Sequence, residues 1–337
     1  MIKEDNINSK LDLTSKQKEI LQNKAYGVYN HSAVQICTWN KKAMTGKGVC
    51  YKEKFYGVDC HRCMQLSPVS MWCQQNCTFC WRPMEYMKNI KINANQVDEP
   101  KDIIVNLTRE RQLLLNGFKG NDKVDLKFWE DAIKPNHYAI SLSGEPTLYP
   151  KLNEMIKYLK SLEDTKTIFI VSNGQETDYF RSLIDNEEHQ PTQLYISIDA
   201  PTKELFQKIN CSLYKDGWER LNETLKYFSQ IKCRRVFRMT QIKGLNDLNE
   251  HLELYNDVIE LGKPDIIEVK AYMHIGLSQN RHTKEQMPEF DEVQEFANKI
   301  IEVNKNYEVA GDMIESRIVI LRRKDSRYKA VIENFEN

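Results

Sequence analysis

Two periods of hydrophobic and polar positions alternate along this chain. Short apolar runs are each followed by a longer segment in which apolar side chains recur every three to four positions, the spacing of one helix face. The runs at 65–71, 138–143, 167–171, 194–198, 235–240 and 266–273 read as buried strands. The segments at 102–115, 151–162, 177–184, 203–209, 217–230, 248–261 and 289–303 read as helices, the first with Ile103, Ile104, Leu107, Leu113 and Leu114 at that spacing. Upstream, 15–24 predicts one helix in an otherwise irregular extension, and 307–321 adds two strands before a basic tail. There is no internal repeat and no low-complexity linker.

Six strands, each followed by one or more helices, favour parallel pairing through right-handed crossovers. The expected fold is α/β, a partial (β/α)6 TIM-type barrel, and catalytic groups then belong at the C-terminal ends of its strands. The expected divisions are an N-terminal extension over 1–55, a core domain over 56–305 and a short C-terminal extension over 306–337.

Composition narrows the picture. The 337 residues are 41% hydrophobic, enough for a large core, and 48 basic residues balance 48 acidic ones. No global charge draws nucleic acid from a distance, so any RNA contact must come from local patches. The N-terminus lacks an apolar signal region, and no run approaches the ~18–20 apolar residues of a membrane span. A cytoplasmic protein with no membrane attachment is expected. Of nine cysteines, seven fall between Cys37 and Cys80. In a reducing compartment such clustering argues for metal rather than disulfides.

Cys73, Cys77 and Cys80 form a C-x3-C-x2-C cluster with Phe79 before the last thiol. Three thiolates on one loop can hold three corners of a [4Fe–4S] cube. The fourth iron is then free to chelate a small molecule. A competing reading is a four-thiolate zinc ribbon from Cys60, Cys63, Cys77 and Cys80, which leaves Cys73 without a role. The cluster resembles that of the radical S-adenosylmethionine superfamily, which is built on a partial barrel. Ser143-Gly144-Glu145 after the second strand resembles the superfamily's Gly-Gly-Glu segment, which implies contact with the amino group of S-adenosylmethionine. Asn173 at the third strand end, and Ser197 and Asp199 at the fourth, stand where the superfamily contacts the rest of that cofactor. Each also fits plain turn or cap chemistry.

Cys37, Cys50 and Cys63 are spaced by thirteen and thirteen. Together with Cys50-Tyr51-Lys52, Tyr56-Gly57, the run 73–83, the run 141–150 and Lys270-Ala271-Tyr272-Met273, they resemble the 4-demethylwyosine synthase family over about 26–303. The resemblance implies a second [4Fe–4S] cluster on Cys37, Cys50 and Cys63, with Cys60 able to stand in for Cys63. It implies that Lys52 forms a Schiff base with pyruvate, against the ordinary alternative of a solvated surface lysine. The implied reaction condenses N1-methylguanosine of tRNA-Phe, 3′ of the anticodon, with pyruvate to give 4-demethylwyosine. The flavodoxin-like domain of the eukaryotic members has no counterpart in this sequence, which points to the archaeal type and to an external electron donor of ferredoxin or flavodoxin type. A monomer is expected. Cys211 and Cys233 read as ordinary partly buried thiols.

Chemistry on a base implies phosphate-binding cations and stacking aromatics. Arg234, Arg235, Arg238 and Lys243 around the fifth strand are the first candidates. The tail residues Arg322, Arg323, Lys324, Arg327 and Lys329, with Tyr328, are the second. His274 reads as structural or substrate-shaping. Two other functions remain open on the sequence: a radical enzyme of the glycyl-radical activase type, and a non-catalytic zinc-binding RNA protein.

Overall fold

The computed structural model describes residues 10–87, 91–329 and 332. Ten strands make one sheet: β1 (Tyr26–Tyr29), β2 (Ser32–Gln35), β3 (Cys63–Ser67), β4 (His137–Ile140), β5 (Thr167–Ser172), β6 (Gln193–Ser197), β7 (Arg234–Gln241), β8 (Ile266–Ala271), β9 (Tyr307–Met313) and β10 (Ile318–Arg323). Their spatial order is β1-β2-β3-β4-β5-β6-β7-β8-β10-β9. The six central strands, β3 to β8, run parallel. β1 and β2 extend one edge antiparallel, and β10 and β9 extend the other. The sheet is an open, partial barrel, as the alternation of strand and helix implies.

The crossovers follow from amphipathic spacing. The helix Leu152–Lys160 buries Leu152, Met155, Ile156 and Leu159, and the helix Phe290–Val303 buries Val293, Phe296, Ala297 and Ile300. These i, i+3, i+4, i+7 sets pack on the outer face of the sheet in the main core. A separate inner core fills one end of the barrel with Tyr51, Phe55, Tyr56, Phe169, Tyr195, Val236, Ile266 and Ile320. Its aromatic residues at 51, 55 and 56 come from a short helix of the N-terminal extension, α1 (Tyr51–Tyr56), packed inside the barrel.

The extension is more structured than its sequence suggests. Besides the helix at Ser15–Gln22, it holds β1, β2, the helix Thr38–Met44 and α1, which runs across residue 55. The β1–β2 hairpin turns through Asn30, at φ +46, and β2 pairs with β3. Tight turns tolerate Asn in that conformation. β3 starts at Cys63, earlier than the apolar run at 65–71, because its pairing with β4 begins at Cys63 opposite His137. The helix Leu126–Ala132 is a further element that the pattern did not mark. Among the described residues no helix is long and apolar enough to cross a membrane. The N-terminal residues read for a signal, and the end of the 306–337 extension, lie outside the described residues.

Candidate active site

The chain leaves β3 at Ser67 and folds across the C-terminal ends of the parallel strands. Ser70 N–H donates to the His31 carbonyl at 3.0 Å, and Glu145 N–H donates to the Trp72 carbonyl at 2.8 Å. The cysteine loop that follows is braced by residues 209–213. Asn76 N–H donates to the Cys211 carbonyl at 3.2 Å, Thr78 N–H to Ile209 at 2.8 Å, and Leu213 N–H to Gln74 at 2.9 Å. Three N–H groups point at its sulfurs: Gln75 N at 3.4 Å and Asn173 Nδ2 at 3.8 Å from Cys73, and Asn210 Nδ2 at 3.7 Å from Cys77.

The strand-end motifs converge on this loop. Gly144 sits at φ +70 with the Val69 and Trp72 carbonyls so close that a Cβ would strike both. Glu145 is 3% exposed. Its Oε1 accepts from Thr147 Oγ1 and Ser172 Oγ, both at 2.7 Å, and its Oε2 from Asn173 N–H at 2.9 Å. Burial nonetheless pushes its carboxyl up. Ser143 N–H donates to Ser67 Oγ at 2.6 Å. Asp199 accepts from Asn210 Nδ2 at 2.9 Å and Thr240 N–H at 3.1 Å, and burial raises it to about 6. Ser197 ends β6 two residues earlier. All six residues expected to meet the cofactor thus lie at or just beyond the C-terminal ends of β4, β5 and β6, and Asn173 bridges Glu145 and Cys73.

A second thiol group forms toward the other end of the barrel. Cys37 caps the helix Thr38–Met44, Cys50 caps α1, and Cys63 opens β3. Asn40 ties the first to the last: its Oδ1 accepts from Cys37 N–H at 3.2 Å, and its Nδ2 donates to the carbonyls of Cys63, at 3.2 Å, and Cys60. Burial pushes the Cys50 thiol up to about 11 and the Cys63 thiol up to about 12, with the Lys52 ammonium opposing both shifts and neighbouring thiols adding to them. Cys60 lies beside them, fully buried, in the turn Cys60–Arg62.

Lys52 lies in the first turn of α1. Its Nζ sits 4.6 Å from the Phe169 ring centroid and 5.2 Å from that of Tyr195. No hydrogen bond or ion pair engages it among the described residues. Burial and the Arg238 guanidinium hold its ammonium below the ordinary lysine range. Lys270, on β8, is brought to about 8 by burial and by the same arginine, but its Nζ donates to the Ser316 carbonyl at 2.7 Å.

Comparison with known proteins places this geometry. The radical SAM superfamily matches residues 67–258, and a family described as wyosine base formation matches 261–323. The S-adenosyl-L-methionine-dependent tRNA 4-demethylwyosine synthase of Pyrococcus abyssi is 40% identical over 298 residues, 88% of this chain and 85% of that protein. The synthase of the same name from Methanocaldococcus jannaschii is 39% identical over 316 residues, 92% of this chain and 96% of that protein. This chain belongs to the 4-demethylwyosine synthases. The synthase from Xenopus laevis is 33% identical, and the chain spans 41% of its length. A solved structure described as TYW1 with a lysine-pyruvate adduct bound superposes with a TM-score of 0.82 at 36% identity, covering 95% of this chain and 99% of that one.

A radical SAM enzyme carries a [4Fe–4S] cluster and uses S-adenosylmethionine, and the residues of this synthase fit both. Donors already point at the sulfurs of Cys73 and Cys77. Ser143 Oγ and Gln75 Nε2, beside the loop, are buried without a partner among the described residues. The zinc ribbon is not built: Cys60 precedes β3 and Cys63 opens it, whereas Cys77 and Cys80 lie beyond its far end. Among the described residues no three His, Cys, Asp or Glu side chains converge on a single ion. A cube spaces its thiolates more widely, because each binds a different iron.

The candidate RNA residues scatter. Arg234 is buried under the Tyr56 ring, and Arg235 pairs with Asp265 at 3.2 Å. Arg238 points into the barrel, where it pairs with buried Glu268 and donates to Tyr51 OH. Lys243 is at the surface beyond the end of β7 and pairs with Glu292. The tail folds against the opposite end: Arg327 and Tyr328 donate to the Lys232 carbonyl, and Arg323 pairs with Asp325. His274 contacts Tyr272 OH at 3.1 Å on the loop after β8. Cys211 is half-buried behind the cysteine loop and Cys233 is buried.

The sequence reading missed the Arg238–Glu268–Tyr51–Tyr56 group. Tyr51 and Tyr56 hydroxyls donate to the two Glu268 oxygens, the first at 3.1 Å and the second at 2.6 Å. The usable signal was Glu268 and Lys270 at alternate positions of a central parallel strand, where both faces are normally apolar. A surface cavity of about 300 Å3, lined by Phe206, Leu213, Tyr214 and Trp218 among others, lies on the outer side of the brace at 209–213, away from the barrel interior.

Proposed function

We propose that this synthase holds two iron–sulfur clusters toward one barrel cavity and condenses pyruvate with N1-methylguanosine of tRNA-Phe to give 4-demethylwyosine. Cys73, Cys77 and Cys80 hold the cluster that binds S-adenosylmethionine, and Cys37, Cys50 and Cys63 hold the second. With an electron from an external donor of ferredoxin or flavodoxin type, the bound cofactor supplies a 5′-deoxyadenosyl radical that takes hydrogen from the base methyl group. Ser143, Gly144 and Glu145 receive the cofactor's amino group, while Asn173, Ser197 and Asp199 line its remaining length. Family membership supports a tRNA substrate, and a cytoplasmic monomer is the simplest setting.

One observation carries the pyruvate assignment: Lys52 Nζ is buried, free of hydrogen bonds among the described residues, and adjacent to the second thiol group. A neutral amine there can add to the keto carbon of pyruvate and lose water. The related structure with a lysine-pyruvate adduct supports the same chemistry. Phe169 and Tyr195 keep water from the amine, and Arg238 supplies positive charge for a carboxylate. The substrate's methylene carbon would then bond to the keto-derived carbon, the carboxyl group would leave with the unpaired electron as the carbon dioxide radical anion, and the guanine amino group would displace the Lys52 amine as it closes the third ring. Two pyruvate carbons stay in the base.

Borohydride with labelled pyruvate should tag the wild type at the peptide bearing Lys52. Lys52→Ala should lose the tag, and Lys270→Ala should keep it. Equal tagging of wild type and Lys52→Ala removes the assignment.

A further inference from the structure

Trp81 follows the last thiol of the cysteine loop, and 41% of its surface is open to solvent. The other four tryptophans are buried or half-buried. One face of the Trp81 indole is already covered: the Arg82 guanidinium carbon sits 3.5 Å from the ring centroid. Arg82 is itself only 6% exposed, and it donates to Tyr26 OH and, at 3.1 Å, to Gln35 Oε1. The cation is therefore fixed to β1 and β2. The Trp81 backbone is fixed as well, because its carbonyl accepts from Leu277 N–H at 3.3 Å. Gly276, at φ +58, lets that loop come so near that a Cβ there would strike the same carbonyl. Arg281 donates to the Thr78 carbonyl at 2.9 Å and to that of Cys80, so it holds the chain just before the indole.

The result is a flat aromatic plate, held at its backbone, backed by a buried cation and partly open to solvent, one residue from a thiol of the cysteine loop. We propose that Trp81 is a stacking platform for an unpaired nucleobase of the RNA substrate, the base flanking the one drawn into the barrel. The proposal rests on the tRNA reading above and adds the residue that positions the strand. A base that leaves its stack exposes its neighbour's face, and an aromatic plate restores that contact without reading the sequence. An arginine on the far face strengthens the plate as a stacking partner. Among the described residues the nearby open apolar side chains are few, Ile275 at 42% on the loop against Trp81 and Tyr86 at 40% on the turn after it. That is far short of the roughly 800 Å2 per side that a stable protein partner covers. Lys16 lies 5.1 Å over the Tyr86 ring, where a phosphate would pass.

The test uses reconstituted full-length protein and an anticodon stem-loop RNA carrying N1-methylguanosine with 2-aminopurine beside it. Wild type should quench the 2-aminopurine on binding. Trp81→Ala should bind roughly 5- to 100-fold more weakly, with the loss in KM rather than kcat. Trp81→Phe should recover most of the binding, and Trp81→Leu, apolar but not aromatic, should not. Iron content should equal that of wild type in all three variants. Unchanged binding by Trp81→Ala, equal rescue by Leu and Phe, or loss of iron from Trp81→Ala would each overturn the platform. Failure of the wild type to bind the stem-loop would instead remove the RNA reading, and the platform with it.

Discussion

Lys52 takes its character from its surroundings rather than from its neighbours in the sequence. Burial and Arg238 lower its pKa, while Cys63, Glu268 and Cys50 oppose the shift. The neutral amine fraction rises with pH through that lowered value. Trapping with pyruvate and borohydride should therefore rise with pH and reach its midpoint below the ordinary lysine value of ~10.4. Replacing Glu268 by Gln removes the opposing charge, so the midpoint should move to still lower pH. The same substitution strands Arg238 in the barrel, and breaking a buried pair costs about 3–5 kcal/mol, readable as a lower Tm. Burial alone would push Glu268 up, yet Arg238 and Tyr56 OH hold it below the usual carboxylate range. The stability contributed by the pair is therefore present above the unfolded carboxylate pKa, ~4.3, and is lost as pH falls through the lower folded value. None of this was legible from residue types. Arg238 read as a surface cation because an Arg-rich strand does not declare which of its faces turns inward, and the deciding partner lies on a different strand.

The strand ends are the elements that the sequence exposed best. Apolar runs of five to eight residues located the parallel strands to within a few residues, and the small polar residues closing the second and third put Glu145 and Asn173 at their C-terminal ends. The short elements of the extension were not legible, because four-residue strands and six-residue helices give no full period to read. Their stability comes from contacts made elsewhere, such as α1 inside the barrel. Gly144 joins the end of β4 to the cysteine loop, since its positive φ lets the chain pass beneath Val69 and Trp72. Gly144→Ala should strain the turn and displace the cysteine loop. Reconstituted protein should then keep the second cluster and lose about half its iron.

For the whole molecule, the two thiol groups sit at opposite ends of β3, with the Lys52 and Arg238 group between them. Four intervals of parallel strand, on the order of 13 Å, separate Cys63 from Ser67. Independent clusters should then load independently: Cys73→Ala and Cys50→Ala should each retain about half the iron and sulfide of wild type. Full iron content in Cys50→Ala would remove the second cluster. Cys60→Ala should keep full iron if Cys63 is the ligand, and a loss of half would move that role to Cys60. The spacing of thirteen could rank those two thiols but not separate them, since both lie in the same tight turn and both carbonyls are held by Asn40.

The clasp of Tyr51 and Tyr56 on Glu268 joins residues 217 and 212 positions apart. A ribosome adding ~5–20 residues per second takes roughly 10–40 s to cross that interval. During synthesis, α1 must therefore wait, with its cysteine and lysine unhoused, until β8 emerges. The helix that carries Lys52 is among the first to be made and among the last to be seated, so a cluster on Cys37, Cys50 and Cys63, as proposed, would be loaded at the end of the protein's assembly.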